Sequence, residues 1–329
     1  MMPFEYHRAV SVTDALTAVA DRPDAAFLAG GTNLVDHMKL GIVAPGLLVD
    51  VGHLPLTEVH VLSDGTVSVG AEVRNSDLAA HPVVRSTYPV LTRALLSGAS
   101  GQLRNVATTG GNLLQRTRCV YFQDLTTPCN KRTPGSGCSA IGGYTRYHAI
   151  LGASEHCVAV HPSDMAVAMA ALDAVVVYLD ANGEHRQPLS TFYRPTDDRP
   201  DRDTVLPHGA LITAVDIPPP PEHARSTYRK VRDRASYAFA LTSVAAELVV
   251  ADGTVTGARV ALGGVAHQPW RARVAERTLI GGPATEDAFR AAADAELGLA
   301  RPLPGNEFKV ELTSRAVVAT LVSLVEGRQ

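Results

Sequence analysis

This 329-residue chain contains no C-x-x-C pair, no G-x-G-x-x-G, no P-loop, no H-E-x-x-H and no G-x-S-x-G. The first absence makes the chain a poor match to zinc ribbons and bacterial ferredoxins, whose paired cysteines sit on a tight turn. The second weakens a nicotinamide Rossmann reading. The others leave NTPase, zinc-protease and hydrolase readings without a motif. No apolar run reaches the ~18–20 residues needed to span a bilayer, so no membrane span is expected. The opening stretch MMPFEYHRAVSVTDALTAVA mixes charge with turn residues and has no signal-like apolar core. Aromatics are scarce at 5%, the formal net charge is −3, and there is no basic block. A nucleic-acid partner therefore has neither a phosphate-binding patch nor a stacking platform to meet.

What remains is a globular composition. Apolar residues make up 46% and charged residues 19%, and mean hydropathy is +0.05. A mass of 34.7 kDa allows one large domain or two to three small ones.

The four cysteines, Cys119, Cys129, Cys138 and Cys157, all fall in one 39-residue stretch. A random scatter of thiols would rarely do this. The stretch is punctuated by Pro128, Pro134, Gly135, Gly137, Gly142 and Gly143. A backbone that bends this freely brings sulfur ligands together around a metal or an iron–sulfur cluster. The spacing C-x9-C-x8-C-x18-C leaves three other readings open. Two disulfides would suit a small secreted domain better than a chain of this size. Unrelated buried thiols and a structural zinc are the others. His148, His156 and His161 lie near the cysteines and read as surface or hydrogen-bonded residues before ligands.

Three regions separate by pattern. Residues 1–57 read as a small βαβ-like subdomain, with a helix over Ser11–Ala20 capped by Thr13, a strand Ala25–Ala29, a helix Leu34–Leu40 closed by Gly41, and a strand Leu47–Val51. Residues 58–222 add a hairpin turning at Asp64-Gly65, helices near Asp77–Ala80, Pro89–Ser97 and Asp164–Leu172, and strands Ala174–Leu179 and Leu211–Ile217. The run Pro218–Pro221 is the best linker. Residues 223–329 read as strands and then helices, an α+β module, with strands Ser226–Val231 and Ala258–Leu262 and helices Thr285–Leu297 and Thr313–Glu326.

Two glycine pairs carry chemistry. Leu28-Ala29-Gly30-Gly31-Thr32-Asn33-Leu34 joins a strand to a helix, where adjacent glycines turn successive N–H groups toward one anion and a pyrophosphate is the natural guest. The alternative is a plain strand–helix turn. Thr108-Thr109-Gly110-Gly111-Asn112 repeats the pattern about 80 residues on, as a second phosphate-contacting loop or a tight turn. His161-Pro162-Ser163-Asp164 opens a helix, with Ser163 or Asp164 as a cap or a hydroxyl acceptor. Lys230 sits on a strand edge, where a cation is either solvated or placed beside an anionic ring.

Together AGGTNLVDHMKLG, GQLRNVATTGGNLLQ, HPSDMAVAMAALDA, LITAVDIP and STYRKVRDRASYAFA resemble the FAD-binding subunits of the xanthine dehydrogenase and aldehyde oxidoreductase (molybdenum hydroxylase) family, over nearly the whole chain. The resemblance implies an α+β protein: a PCMH-type FAD-binding domain of two α/β subdomains (1–57 and 58–222), then an α+β C-terminal domain (223–329). Carried over by position, it puts FAD on Phe27, Leu28, Ala29, Gly30, Gly31, Thr32, Asn33, Leu34, Thr108, Thr109, Gly110, Gly111, Asn112, Asp164, Ile212 and Lys230. Asp164 would hold flavin hydroxyls, Ile212 would line the ring, and Lys230 would lie near it. Gly98 stands where the xanthine enzymes have an aromatic residue, which removes a stacking partner.

The segment 116–160 is not general in that family. It resembles the cysteine-bearing loop of periplasmic aldehyde oxidoreductase flavin subunits and is similar to that of 4-hydroxybenzoyl-CoA reductase. The resemblance implies a 4Fe–4S cluster on Cys119, Cys129, Cys138 and Cys157. It also implies a large partner with the molybdenum cofactor, a small partner with two 2Fe–2S clusters, and electron transfer through FAD to an external acceptor, with no catalytic base in this chain. The expected compartment is cytoplasmic, or periplasmic after export of the folded complex on a partner's signal. Two other readings are a stand-alone flavin oxidoreductase of the MurB or vanillyl-alcohol-oxidase type, and a zinc-binding module without flavin.

Overall fold

The computed structural model describes residues 1–197 and 199–327. Three sheets organise the chain in the order the patterns suggest, and the protein is α+β. Strands Glu5–Arg8, Ala25–Leu28 and Leu47–Asp50 form a parallel sheet with the last strand in the middle. Parallel pairing needs a crossover, supplied here by the helix Val12–Ala20. Its buried Ala15 and Val19 pack with Ala25, Leu47 and Val49. The cap is Ser11, not the expected Thr13: Ser11 has extended backbone, and its hydroxyl accepts from the Asp14 N–H at 3.0 Å.

A five-stranded antiparallel sheet follows, in the order Val59–Val61, Val67–Gly70, Leu211–Ile217, Val175–Asp180, Gly183–Pro188. Helices Pro89–Ser97 and Asp164–Ala171 belong to its core. The second is buried on nearly every side, which its run of Ala, Val and Met permits.

The third sheet is antiparallel, in the order Trp270–Arg271, Thr254–Gly263, Thr242–Ala251, Arg225–Val231. Helices Arg273–Leu279, Glu286–Leu297 and Phe308–Val325 follow and share an apolar core with it. The last helix starts at Phe308, ahead of the expected Thr313. Lys309, which reads as a surface residue, is fully buried there, its ammonium donating to the carbonyls of His148 (2.8 Å) and Gly264.

Residues 116–160 form a compact insertion lying against both larger units. Its regular structure is the short helix Val120–Gln123 and an isolated antiparallel bridge between Cys129 and Cys138. Other bonds hold the rest: the Arg132 side chain donates to the carbonyls of Tyr121 and Phe122, and the backbone N–H groups of Ile150 and Leu151 donate to the Val265 carbonyl. Among the described residues no helix is long and apolar enough to cross a membrane.

Candidate functional site

All three units wall one cleft of about 880 Å³, a size typical of cofactor sites. The sixteen cofactor candidates line it except Leu28 and Thr109. Thr109 is fully buried, and its N–H and hydroxyl both bond to the Val73 carbonyl. The Leu28 side chain instead reaches the back of Gly31.

The two glycine pairs differ in what they offer. Among the described residues, the N–H groups of Gly30, Gly31, Thr32 and Asn33 donate to no protein acceptor, and the Thr32 hydroxyl has no partner. Successive free donors of this kind form an anion cradle. Gly31 has φ +69°, open to glycine at little cost. A Cβ on Gly30 would stand 2.1 Å from the Val106 carbonyl oxygen, so that glycine lets the two loops touch. The second glycine pair lies not on a loop or tight turn but in the short helix Thr109–Leu113, capped by the Thr108 hydroxyl, and its donors are already used: Thr109 to Val73, Gly110 to Ala71, Asn112 to the Thr108 carbonyl, and Gly111 to the Thr108 hydroxyl. Its contribution to a ligand is side chains and space. Asn112, which lines the cleft, accepts through Oδ1 from Ser163 and Gln115, and among the described residues its side-chain amide N–H groups have no protein acceptor. The Asn33 side chain is also held internally, by the Arg116 N–H and by His37.

Asp164 and Lys230 form a buried ion pair at 2.7 Å, with side chains 8% and 3% exposed. The Tyr228 hydroxyl donates to the other Asp164 oxygen at 2.6 Å, and Lys230 also donates to the Ser97 carbonyl. Burial, with Asp164 beside it, pushes the Tyr228 phenol well up, so it remains a donor. Ammonium has three N–H groups, so one of Lys230 is left over. Ile212 lies 3% exposed in the same wall.

Several cleft groups carry no motif. Glu72 is 6% exposed and one of its carboxylate oxygens has no partner. Burial, and then Asp50, push its carboxyl up to about 7. Asn75 has an unpartnered carbonyl oxygen in the same cleft. His161 is brought down to about 4 by burial and is neutral, with Nε2 unpartnered. Arg118 donates to the Arg116 carbonyl at 2.6 Å and lies over the Phe239 ring at 5.2 Å. Among the described residues no carboxylate pairs with it. Ala99 and Tyr237, also in the wall, have φ of 49° and 51°, a strained backbone of the kind that gathers at functional sites. A Glu in an otherwise unremarkable GAEV segment and an Arg beside a Cys gave no signal before folding.

The four cysteines line a second, small cavity of about 10 Å³. All four are free thiols. Cys119 and Thr117 line both this cavity and the large cleft, while Cys129, Cys138 and Cys157 line the small one. His148 Nε2 lies 3.1 Å from Cys119 Sγ, and burial lowers its imidazole pKa. Burial pushes Cys119 up to about 11 and raises Cys157 as well. Among the described residues no three His, Cys, Asp or Glu side chains converge to hold a metal ion. His156 bonds through its backbone, its carbonyl accepting from Asn130, and His161 faces the cleft.

Residues 2–220 match the family described as FAD binding domain in molybdopterin dehydrogenase, and residues 226–321 that described as CO dehydrogenase flavoprotein C-terminal domain. The chain is 51% identical over 322 residues, 98% of each protein, to the aldehyde oxidoreductase FAD-binding subunit PaoB of Escherichia coli (strain K12). It is 26% identical to the glyceraldehyde dehydrogenase medium chain of Sulfolobus acidocaldarius, over 86% of this chain and 83% of that one. It is similar in structure to carbon monoxide dehydrogenase of Hydrogenophaga pseudoflava lacking the Mo-pyranopterin moiety, with a TM-score of 0.77, 26% identity and 99% of both chains covered.

Proposed function

The chain belongs to the family of FAD-binding domains in molybdopterin dehydrogenases, and from that premise we propose that it is the FAD- and 4Fe–4S-carrying electron-transfer subunit of a molybdenum-dependent aldehyde or xanthine-type oxidoreductase. Its partners are a large molybdenum-cofactor subunit and a small subunit with two 2Fe–2S clusters. Electrons reach this chain from the small partner and leave to an external acceptor. The division 1–57, 58–222 and 223–329 is part of the same reading.

The residues present fit both groups. The free N–H groups from Gly30 to Asn33 and the Thr32 hydroxyl would hold the pyrophosphate, and Arg118, in the same cleft, would offset its charge. Lys230, fixed by Asp164 and the Ser97 carbonyl, would have one N–H left to offer the ring. Ile212 supplies an apolar wall that excludes water. Four free thiols around one cavity are a cluster's donor set. When bound, FAD couples one-electron to two-electron transfer and the cluster adds a one-electron site.

The observation that carries the reading is Cys119, which lines both the thiol cavity and the flavin cleft. Anaerobic purification with visible spectroscopy and iron, zinc and FAD analysis tests it. Flavin bands over a broad iron–sulfur shoulder, with about four irons per chain, are expected. Flavin without iron removes the cluster from the proposal, and zinc without flavin overturns it.

A further inference from the structure

Cys129 and Cys138 face each other across an isolated antiparallel bridge. Flanking it, the Asn130 N–H bonds to the Gly137 carbonyl at 2.7 Å and the Ser139 N–H to the Pro128 carbonyl at 3.2 Å. The cysteines are thus the non-hydrogen-bonded pair between these bonds. In such a pair the Cα atoms lie roughly 4.5 Å apart, with side chains on the same face. That separation falls inside the ~4.4–6.8 Å that a disulfide accepts.

The turn is also pinned. The Cys129 N–H donates to the Ser136 hydroxyl at 3.0 Å, and Asn130 Oδ1 accepts from the Gly137 N–H at 2.8 Å. Gly135 and Gly137 have φ of 85° and 99°, which the tight return requires. Cys119 and Cys157 stand in no such register. Cys119 precedes the Val120–Gln123 helix and contacts His148, and Cys157 sits in a separate segment with its N–H on the Ser154 hydroxyl.

We propose that Cys129 and Cys138 are an oxidation site of this chain: a cross-strand dithiol that a low-molecular-weight disulfide closes into a single disulfide whenever no cluster fills the cavity. This goes beyond the electron-transfer reading and does not depend on it. Cys138, partly exposed, is the entry point, and Cys129 is buried behind it. The Cys138 thiolate attacks one sulfur of the reagent disulfide, whose S–S bond breaks and releases one small thiol. The Cys129 thiolate then attacks the Cys138 sulfur, forms the protein disulfide and expels the second small thiol. The two protons of the protein thiols end on the two released thiols. The protein loses two electrons and the reagent gains them.

The test uses the full chain, stripped of iron with a chelator under reductant, desalted anaerobically and checked for residual iron. It is then exposed to glutathione disulfide, quenched with acid, alkylated and mapped by mass spectrometry. One disulfide joining the Cys129 and Cys138 peptides is expected, with Cys119 and Cys157 alkylated. Comparable yields of any pair containing Cys119 or Cys157, or four alkylated thiols, overturn the proposal. A second measurement takes the Cys119→Ser/Cys157→Ser variant and compares its exchange constant with glutathione in buffer and in urea. The register predicts a larger constant in buffer than in urea, and equal values refute it. Iron content of the chain as purified judges the cluster separately from the disulfide map.

Discussion

Asn33 Oδ1 accepts a hydrogen bond from the Arg116 backbone N–H at 2.9 Å, joining the anion cradle to the first residue of the cysteine insertion across 83 residues of sequence. The link continues inward. The Arg116 guanidinium donates to Asp203 at 2.7 Å and lies over the Phe122 ring, and Asp203 also takes the ammonium of Lys131, whose side chain is 5% exposed. Burial opposes ionisation of Asp203, but Lys131 and Arg116 outweigh it and hold the carboxyl below its ordinary range. The Gly30–Asn33 loop and the cysteine insertion are thereby one polar unit.

Asn33→Ala should loosen that unit. It strips the Arg116 N–H of its acceptor at a cost of about 1–2 kcal/mol. Limited proteolysis should cut the insertion between residues 116 and 140 faster than in the parent chain. Unchanged cleavage with weaker FAD binding would mean that Asn33 serves the cofactor directly.

Much of this arrangement was legible beforehand because it rests on local patterning. Gly30-Gly31 marked the first loop, short apolar runs marked several strands, and the cysteine crowding marked the insertion, whereas Gly110-Gly111, read as a loop or turn, falls inside the helix Thr109–Leu113. What stayed hidden depends on partners far along the chain. Nothing local distinguishes Gly110, whose N–H is taken by Ala71, from Gly31, whose N–H is free. Lys309 reads as solvent-facing until the His148 and Gly264 carbonyls are seen to receive it. Glu72 reads as a surface acid until the sheet and the first subdomain close over it.

Glu72 makes stability depend on pH with a sign opposite to that of a salt-bridged acid. Its folded pKa, about 7, lies above the ordinary 4.5. Native protein therefore binds the proton more tightly, and the stability this brings is present below 4.5 and lost as pH rises to about 7. A shift of that size corresponds to about 3 kcal/mol. Glu72→Gln should match the parent near pH 4.5 and exceed it by up to about 3 kcal/mol at pH 8, in urea unfolding of the FAD-free chain. A difference that does not change with pH would show that the carboxyl has a partner.

The Lys230–Asp164 pair should behave as a buried unit. Lys230→Met leaves a carboxylate buried with the Tyr228 donor alone, and Asp164→Asn leaves a buried ammonium. Each should cost about 3–5 kcal/mol. The double variant should cost clearly less than the sum of the two, because no unpaired charge remains. Thermal or urea unfolding of the four proteins completes the cycle. Additive losses would mean that the two groups do not interact in solution.

Arg118, like Arg104 and Arg234, lines the cleft and is in no ion pair among the described residues, and burial lowers its pKa. Of its five N–H donors, one is seen to bond, to the Arg116 carbonyl, and Phe239 covers a face of the guanidinium. A half-buried, unneutralised cation is stabilised by an anionic guest, and the cradle at Gly30–Asn33 is built for one. Removing a charged hydrogen-bonding partner costs about 1.5–3 kcal/mol, or roughly ten- to hundredfold in affinity. Arg118→Ala should weaken FAD binding to the deflavinated chain by that factor, and the difference should shrink at high salt as the exposed part of the interaction is screened. Riboflavin, which has no phosphate, should bind parent and variant alike. Equal loss of FAD and riboflavin would assign Arg118 to the shape of the cleft and leave the phosphate charge to the backbone donors alone.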